Sequence, residues 1–458
     1  MPWQNLVACD QVLINYRVQP YNDILMIGAR GESNKWIVIR GVPGPGGERP
    51  VFDGTNAISP SDKGINTYID GGGMILVAKP TGGSFNYPAA YKPGYLHITG
   101  FKIQNVRPPA KFTPASGGAP RAWDRFVAGI YAIPVENLAV TDNEFTGNSI
   151  GLFVNSVNEE YAQSRNVTVA RNYFHGNGIV NDAGLHNAYT EAVGTIYEYN
   201  YFGPPVVGTA GDNIKERSAG LVMRYNYIED GVNLIAMRDP ESNWEYEAAQ
   251  LDSFGERLVT KSFVYSNILV AKSPTVYGEA SIIIGYGDGV EYGTKEQVRE
   301  GHLYFYSNKV LSWNDYKQYA TESVPLFAML NVRAPTTIAA LNNQYYTQPK
   351  TSAGSAAPFS IFYYQGVADF QSNWINKFQL TQESSGGGGL AVGNRFAGGG
   401  LGGLAQSNGD PGFVNLAAGD YTSTPSSPFL TLAAALPDAV VKRGLSPTAN
   451  PVQVPFGR

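Results

Sequence analysis

Apolar and polar residues alternate in short runs along much of this chain, and the runs finish alike. Val167-Thr168-Val169, Ile196-Tyr197-Glu198-Tyr199, Leu221-Val222-Met223-Arg224-Tyr225 and Phe263-Val264-Tyr265 each lead to an asparagine a few residues on. That asparagine opens a repeated phrase: Asn143-Glu144-Phe145, Asn172-Tyr173-Phe174, Asn200-Tyr201-Phe202, Asn226-Tyr227-Ile228 and Asn267-Ile268-Leu269. The spacings are 29, 28, 26 and 41 residues. Alternation rich in β-branched and aromatic residues predicts strands. A period in this range predicts a solenoid whose repeats stack on one another. Asparagine after a strand suits a tight corner, because it tolerates left-handed dihedrals and bonds nearby backbone. Stacked asparagine amides would satisfy the corner backbones. One strand-and-corner unit per repeat gives an all-β, right-handed parallel β-helix.

The longer spacings require insertions near 240–258 and 285–301, and residues 106–128 are rich in Pro, Gly and Ala. Long coils among short ones project sideways, so these three segments are expected to wall a groove on one outer face. Leu96–Ile103 and Ile338–Tyr345 read as further coil strands, and Leu390–Phe396 as a late one. The glycine runs 386–389 and 398–400 read as turns.

The opening phrases Pro2-Trp3-Gln4-Asn5-Leu6, Asp10-Gln11-Val12-Leu13-Ile14, Trp36-Ile37-Val38-Ile39-Arg40-Gly41-Val42 and Pro50-Val51-Phe52-Asp53-Gly54 resemble the first coils of the pectate-lyase-like β-helix superfamily. Ala8-Cys9-Asp10 stands where that pattern usually has Gly-Asp. The stretch from Asp410-Pro411-Gly412 to Ser427-Pro428 resembles the closing coil of secreted β-helix proteins. Strand-and-corner repeats from the first 60 residues to about 430 predict a single domain over residues 1–458, with N-terminal coils and cap at 1–60 and a C-terminal coil and tail at 405–458.

Setting the coils in register produces columns. His186, Asp212 and Arg238 are 26 residues apart, as are Tyr189, Lys215 and Glu241, and Glu191, Arg217 and Asn243. The third row is an extrapolation into a longer coil. Residues two apart in a strand share a face. Tyr189, Glu191, Lys215 and Arg217 are therefore expected on one outward patch, with Arg238 and His186 within reach. Such a set suits β-elimination on a uronic-acid polymer. A cation neutralises the uronate carboxylate, a base removes the C5 proton and an acid serves the leaving oxygen. Arg217 offers a bidentate clamp on a carboxylate. Lys215 is a base where its pKa is depressed, and Tyr189 or His186 can donate to the leaving group. Glu191, Asn187 and Asn213 are expected to line the substrate. Calcium is the alternative neutraliser, with no ligand set assigned.

Asp212-Asn213-Ile214-Lys215-Glu216-Arg217-Ser218, Met223-Arg224-Tyr225-Asn226 and Leu234–Arg238 resemble a region of the alginate lyase and chondroitin B lyase family. There a base lysine lies one coil before an arginine acid, which implies those roles for Lys215 and Arg238. The family's serine before the lysine and its calcium-binding acids are not cleanly present, and the first Tyr of its Tyr-Arg-Tyr-Asn strand is Met223 here. His186-Asn187-Ala188-Tyr189 with Asn213-Ile214-Lys215-Glu216-Arg217 is similar to a "H-N-x-Y…N-x-K-x-R" pattern of bacterial β-helix proteins.

Two rival readings share the fold. A glycoside hydrolase needs two carboxylates about 5–9.5 Å apart, and Glu191, Asp212, Glu216, Asp230 and Asp239 are candidates. A non-catalytic glycan-binding surface protein would rely on the 29 Tyr and 21 Phe for stacking. Charged residues make up only 16% of the chain and the net charge is -5, which argues against nucleic acid as a partner. Cys9 is the one cysteine, so no intrachain disulfide forms. No apolar run is long enough for a membrane helix. The expected partner is an acidic polysaccharide or oligosaccharide, bound by a monomer. A secreted or periplasmic location is expected, with a leader replaced by the starting methionine.

Overall fold

A computed structural model describes residues 3–60, 70–80, 87–287, 299, 301–314, 323–329, 336–350, 352, 354–363, 367–378, 395–396 and 404–447. They fall into two compact units. Unit 1 holds 1–219 and 240–250, and unit 2 holds 220–239 and 251–458. Each is a stack of parallel ladders, the parallel β-helix that the repeats predict. A parallel strand pair joined by a crossover takes the right-handed path.

In unit 1 the regular coils begin with Ala128–Ile133 (β1), Glu136–Thr141 (β2) and Glu144–Thr146 (β3). The next coil repeats them as Ile150–Val154 (β4), Arg165–Ala170 (β5) and Tyr173–His175 (β6), and a third as Ala188–Thr190 (β7), Val193–Glu198 (β8) and Tyr201–Phe202 (β9). Ile214–Glu216 (β10) follows. Each strand pairs in parallel with its counterpart one coil on, as in Leu138↔Val167, Phe145↔Phe174 and Phe153↔Tyr189. The predicted opening strands pair the same way, Gln11–Asn15 with Ile37–Val42 and Val51–Asp53 with Lys102–Gln104. Leu96–Ile103 is two strands rather than one. Gly94–Thr99 and Lys102–Gln104 meet at Gly100, whose φ of 86° is open to glycine without strain.

The corners depend on buried asparagine. Asn172 Oδ1 accepts from the backbone N of Asn143 at 3.0 Å, and Asn200 Oδ1 accepts from that of Asn172 at 2.9 Å. Their Nδ2 groups donate inward, Asn172 to the Val140 carbonyl and Asn200 to that of Val169, both at 2.8 Å. The left-handed residue is the one before each asparagine, not the asparagine itself: Asp142, Arg171 and Tyr199 have φ of 56, 55 and 56°. Side chains with a Cβ adopt that region at a cost of roughly 1–2 kcal/mol, and the ladder of satisfied amides offsets it. Inside the coils Phe145, Phe174 and Phe202 stack with centroids 4.6 Å apart and planes 5° from parallel.

Unit 2 repeats the ladder through Asn226, Asn267, Asn308, Asn343 and Asn373. Ile338–Tyr345 again divides, into Thr336–Leu341 and Gln344–Gln348. The predicted closing coil is instead an antiparallel pair, Phe413–Asn415 with Asp420–Ser423, which lays Tyr421 on Val270 and Leu311. Of the Leu390–Phe396 strand only Arg395–Phe396 is described, and the glycine runs lie outside the described residues.

Asn172→Ala leaves the Asn143 amide and the Val140 carbonyl without their side-chain partners in a buried corner. The expected loss is about 2–4 kcal/mol, read as a lower urea midpoint. An unchanged midpoint would remove the ladder from its place in the fold.

Candidate functional site

The register places Tyr189 of β7 directly beside Lys215 of β10. Upstream on the same line of paired residues are Phe153 and Tyr131. The rings of Tyr131 and Phe153 lie 4.7 Å apart, and Phe153 and Tyr189 meet edge-on at 5.1 Å. An aromatic line thus runs into the ammonium of Lys215, which sits 5.1 Å from the Tyr189 ring centroid. Both ends of the line, Tyr131 and Lys215, are half-buried, while Tyr189 is 6% exposed.

Two of the three predicted insertions close on this line. Residues 106–127 bring Phe126 to 5.2 Å from Phe153 and 6.4 Å from Tyr189. Residues 240–250 form a strap that carries the short helix Trp244–Glu247 (α1) and lays Glu241 against the site. Tyr189 Oη donates to Glu241 Oε2 at 3.2 Å, and Arg217 Nη2 reaches the same oxygen at 2.9 Å. Most of the third insertion, 288–298 and 300, lies outside the described residues.

Glu191 and Arg217 do not form the outward patch expected of them. Both side chains are interior, at 0% and 2% exposure, because the strap covers them. Glu191 Oε1 accepts from the backbone amides of Ser242 at 2.6 Å and Asn243 at 2.8 Å. Burial pushes its carboxyl up to about 7, against the amide of Asn243 and the charge of Arg217. Burial also raises the Tyr189 phenol well above its ordinary range, so it keeps its proton at neutral pH.

Asn187 and Asn213 are interior as well, in a second amide ladder that the sequence reading missed. Asn177 Nδ2 donates to Asn187 Oδ1 and Asn187 Nδ2 to Asn213 Oδ1, both at 2.8 Å, and both residues also bond the Gly203 carbonyl. The signal was the Gly-Asn pair that ends two phrases, Gly147-Asn148 and Gly176-Asn177. His186 is fully buried, its Nδ1 accepting from the Asp212 amide at 3.0 Å, and its ring lies 6.0 Å from that of Tyr189. The extrapolated third row does not extend the columns as stacked neighbours; Glu241 and Asn243 belong to the strap. Arg238 is in unit 2, where its Nη1 donates to the Gly287 carbonyl at 2.9 Å. Glu216 points inward, with Thr190 Oγ1 and the Ser218 amide on its carboxylate. Among the described residues no group of three or more His, Cys, Asp or Glu is placed to hold a metal, and no helix is long and apolar enough to cross a membrane.

No family model matches the chain, and no curated protein matches it in sequence. Among solved structures it is similar to DFA-IIIase from Arthrobacter chlorophenolicus A6. The crystal structure in complex with GF2 shares 13% identity over 80% of this chain and 83% of that one, with a TM-score of 0.43. The complex with DFA-III gives 13%, 80%, 84% and 0.42, and the form without its lid in complex with GF2 gives 12%, 81%, 78% and 0.42.

Burial separates two neighbouring cations. Arg217→Ala strips the charge partner from Glu241 beneath the strap and should cost about 2–4 kcal/mol, the partial exposure of Glu241 holding it below the full buried-pair value. Lys215→Ala should stay within about 0.5 kcal/mol. Thermal melts of the two variants check the contrast, and equal melting temperatures would contradict it.

Proposed function

We propose that the face around Tyr189 and Lys215 is the active site of a polysaccharide lyase that cleaves an acidic glycan. The observation that carries the reading is the pairing of a partly exposed lysine with a buried, protonated tyrosine at the end of an aromatic line. Sugar rings stack on aromatic faces, and a uronate carboxylate seeks a cation. Arg217 is buried beneath the strap and Lys215 is half-buried on the face, so Lys215 is the cation placed toward substrate.

The reaction runs as follows. The C5–H bond of the uronate breaks and its electrons form the C4–C5 double bond. The C4–O bond to the leaving sugar breaks, and that oxygen takes a proton. Tyr189 is the proton donor, held in place by Glu241 until the leaving oxygen arrives. Lys215 either removes the C5 proton as the free amine or, kept charged over the ring, neutralises the carboxylate while another base acts.

A hydrolase reading has one observation in its favour. Two carboxyls meet at the strap: that of Glu191, raised by burial, and that of Glu241, paired with Arg217. Glu191 lies beneath the strap, out of reach of substrate, so the lyase reading leads.

Lys215→Ala should lower turnover on the true substrate by about 10²–10⁴ with the melting temperature unchanged, followed by absorbance of the unsaturated uronate product. Lys215→Arg sorts the two roles. It restores turnover if the charge is what matters and fails if a base is needed, since Arg stays protonated. Near-full turnover by Lys215→Ala would end the reading.

A further inference from the structure

Unit 1 carries a second constellation on a different sheet from Tyr189 and Lys215. Strands β3, β6 and β9 stack there in parallel. Phe145, Phe174 and Phe202 fill the inside of these strands, so alternation turns Glu144, Thr146, Tyr173, His175 and Tyr201 outward. All five are half-buried, in reach of a molecule on the surface. The register sets His175 directly beside Thr146 and, two residues back on each strand, Tyr173 beside Glu144.

His175 is bonded at both ring nitrogens. Its Nδ1 lies 3.3 Å from Thr146 Oγ1, and its Nε2 lies 3.2 Å from Glu144 Oε1. Lys102 Nζ sits 2.9 Å from the same glutamate oxygen. Burial works against the charge on Glu144, but the hydrogen bonds from His175 and Lys102 outweigh it and hold the carboxyl at about 2. An ionised carboxylate has no proton to give, so Nε2 carries the ring proton and donates it. In the neutral ring Nδ1 is then the acceptor and takes the Thr146 hydroxyl. Tyr173 stacks on the imidazole with centroids 4.2 Å apart, which fixes the ring plane. A hydroxyl on a base, and that base oriented by a third group, is the arrangement of an activated nucleophile.

We infer that Thr146, His175 and Glu144 form a second catalytic site, one that hydrolyses a short acyl ester on a sugar hydroxyl. The inference does not depend on elimination at the Tyr189–Lys215 face. Thr146 Oγ1 bonds to the acyl carbon and its proton passes to His175 Nδ1. The bond from that carbon to the sugar oxygen breaks, and the oxygen takes the proton back from His175. Water then gives a proton to the same nitrogen and attacks the acyl-threonine, releasing the acid and restoring the hydroxyl. Glu144 is a positioning residue: it holds the tautomer and faces the imidazolium that forms. Water on this half-exposed surface meets the oxyanion, which limits the rate. The sugar is assigned by Tyr173 and Tyr201, whose rings meet edge-on at 5.2 Å beside the histidine and offer apolar surface with a polar rim.

Para-nitrophenyl acetate, peracetylated glucose and a fluorophosphonate test the site in the full chain. The wild-type protein should release nitrophenolate and acetate and carry a fluorophosphonate adduct on the peptide that holds Thr146. Thr146→Val keeps the shape without the hydroxyl and should lose the adduct and about 10²-fold in kcat, with the melting temperature retained. Thr146→Ser should restore both. Glu144→Gln should lower kcat by about tenfold or more with KM unchanged, a split that a merely structural role would not give. Tyr201→Ala should raise KM for peracetylated glucose with kcat retained. No adduct on Thr146, or wild-type ester turnover in Thr146→Val, would overturn the inference. An unchanged kcat in Glu144→Gln would remove Glu144 from the site, and an unchanged KM in Tyr201→Ala would remove the sugar.

Discussion

The corner asparagines are the constraint on which the rest depends. Each coil must turn while carrying backbone groups through a dry interior, and the turns at Asp142, Arg171 and Tyr199 put a residue with a Cβ at positive φ. Bonds from Asn143 to Asn172 to Asn200 satisfy those groups and fix one coil over the next. Once the coils are fixed, register is no longer free, and a slip of one residue would turn every side chain to the other face. The neighbouring positions of Tyr189 and Lys215 follow from that lock.

Burial then decides what the locked residues can do. Strand β10 carries Lys215, and Arg217 follows just past its end, both cations on nominally the same face. The strap covers one and leaves the other accessible. Arg217 becomes the partner of Glu241, and its value is structural as much as electrostatic. Glu191, next to it, loses its solvent, and burial pushes its carboxyl up. Charge at this site is arranged by a loop laid over a rigid sheet, a common division between scaffold and function.

The repeat phrases made the fold legible, because a period of 26–29 residues and strand alternation survive in the bare sequence. The register of Tyr189 with Lys215 was legible for the same reason, since the Asn172, Asn200 and Asn226 phrases bracket both. What could not be read was burial on the outer face. Alternation says which way Glu191 and Arg217 point, but not that a later segment of the chain will lie over them. Asn187 and Asn213 were misplaced because a polar residue between strands reads as surface, whereas a solenoid uses amides as interior struts. The Leu96–Ile103 run read as one strand because the corner at Gly100 interrupts the direction of the chain without interrupting its apolar content.

Elimination at the Tyr189–Lys215 face is tested most directly by the masses of the products. Elimination adds no water, so the fragments released from a uronate glycan should sum to the mass of the parent chain, with one fragment bearing an unsaturated end. Fragments that together exceed the parent by one water per cut would identify a hydrolase and contradict the account.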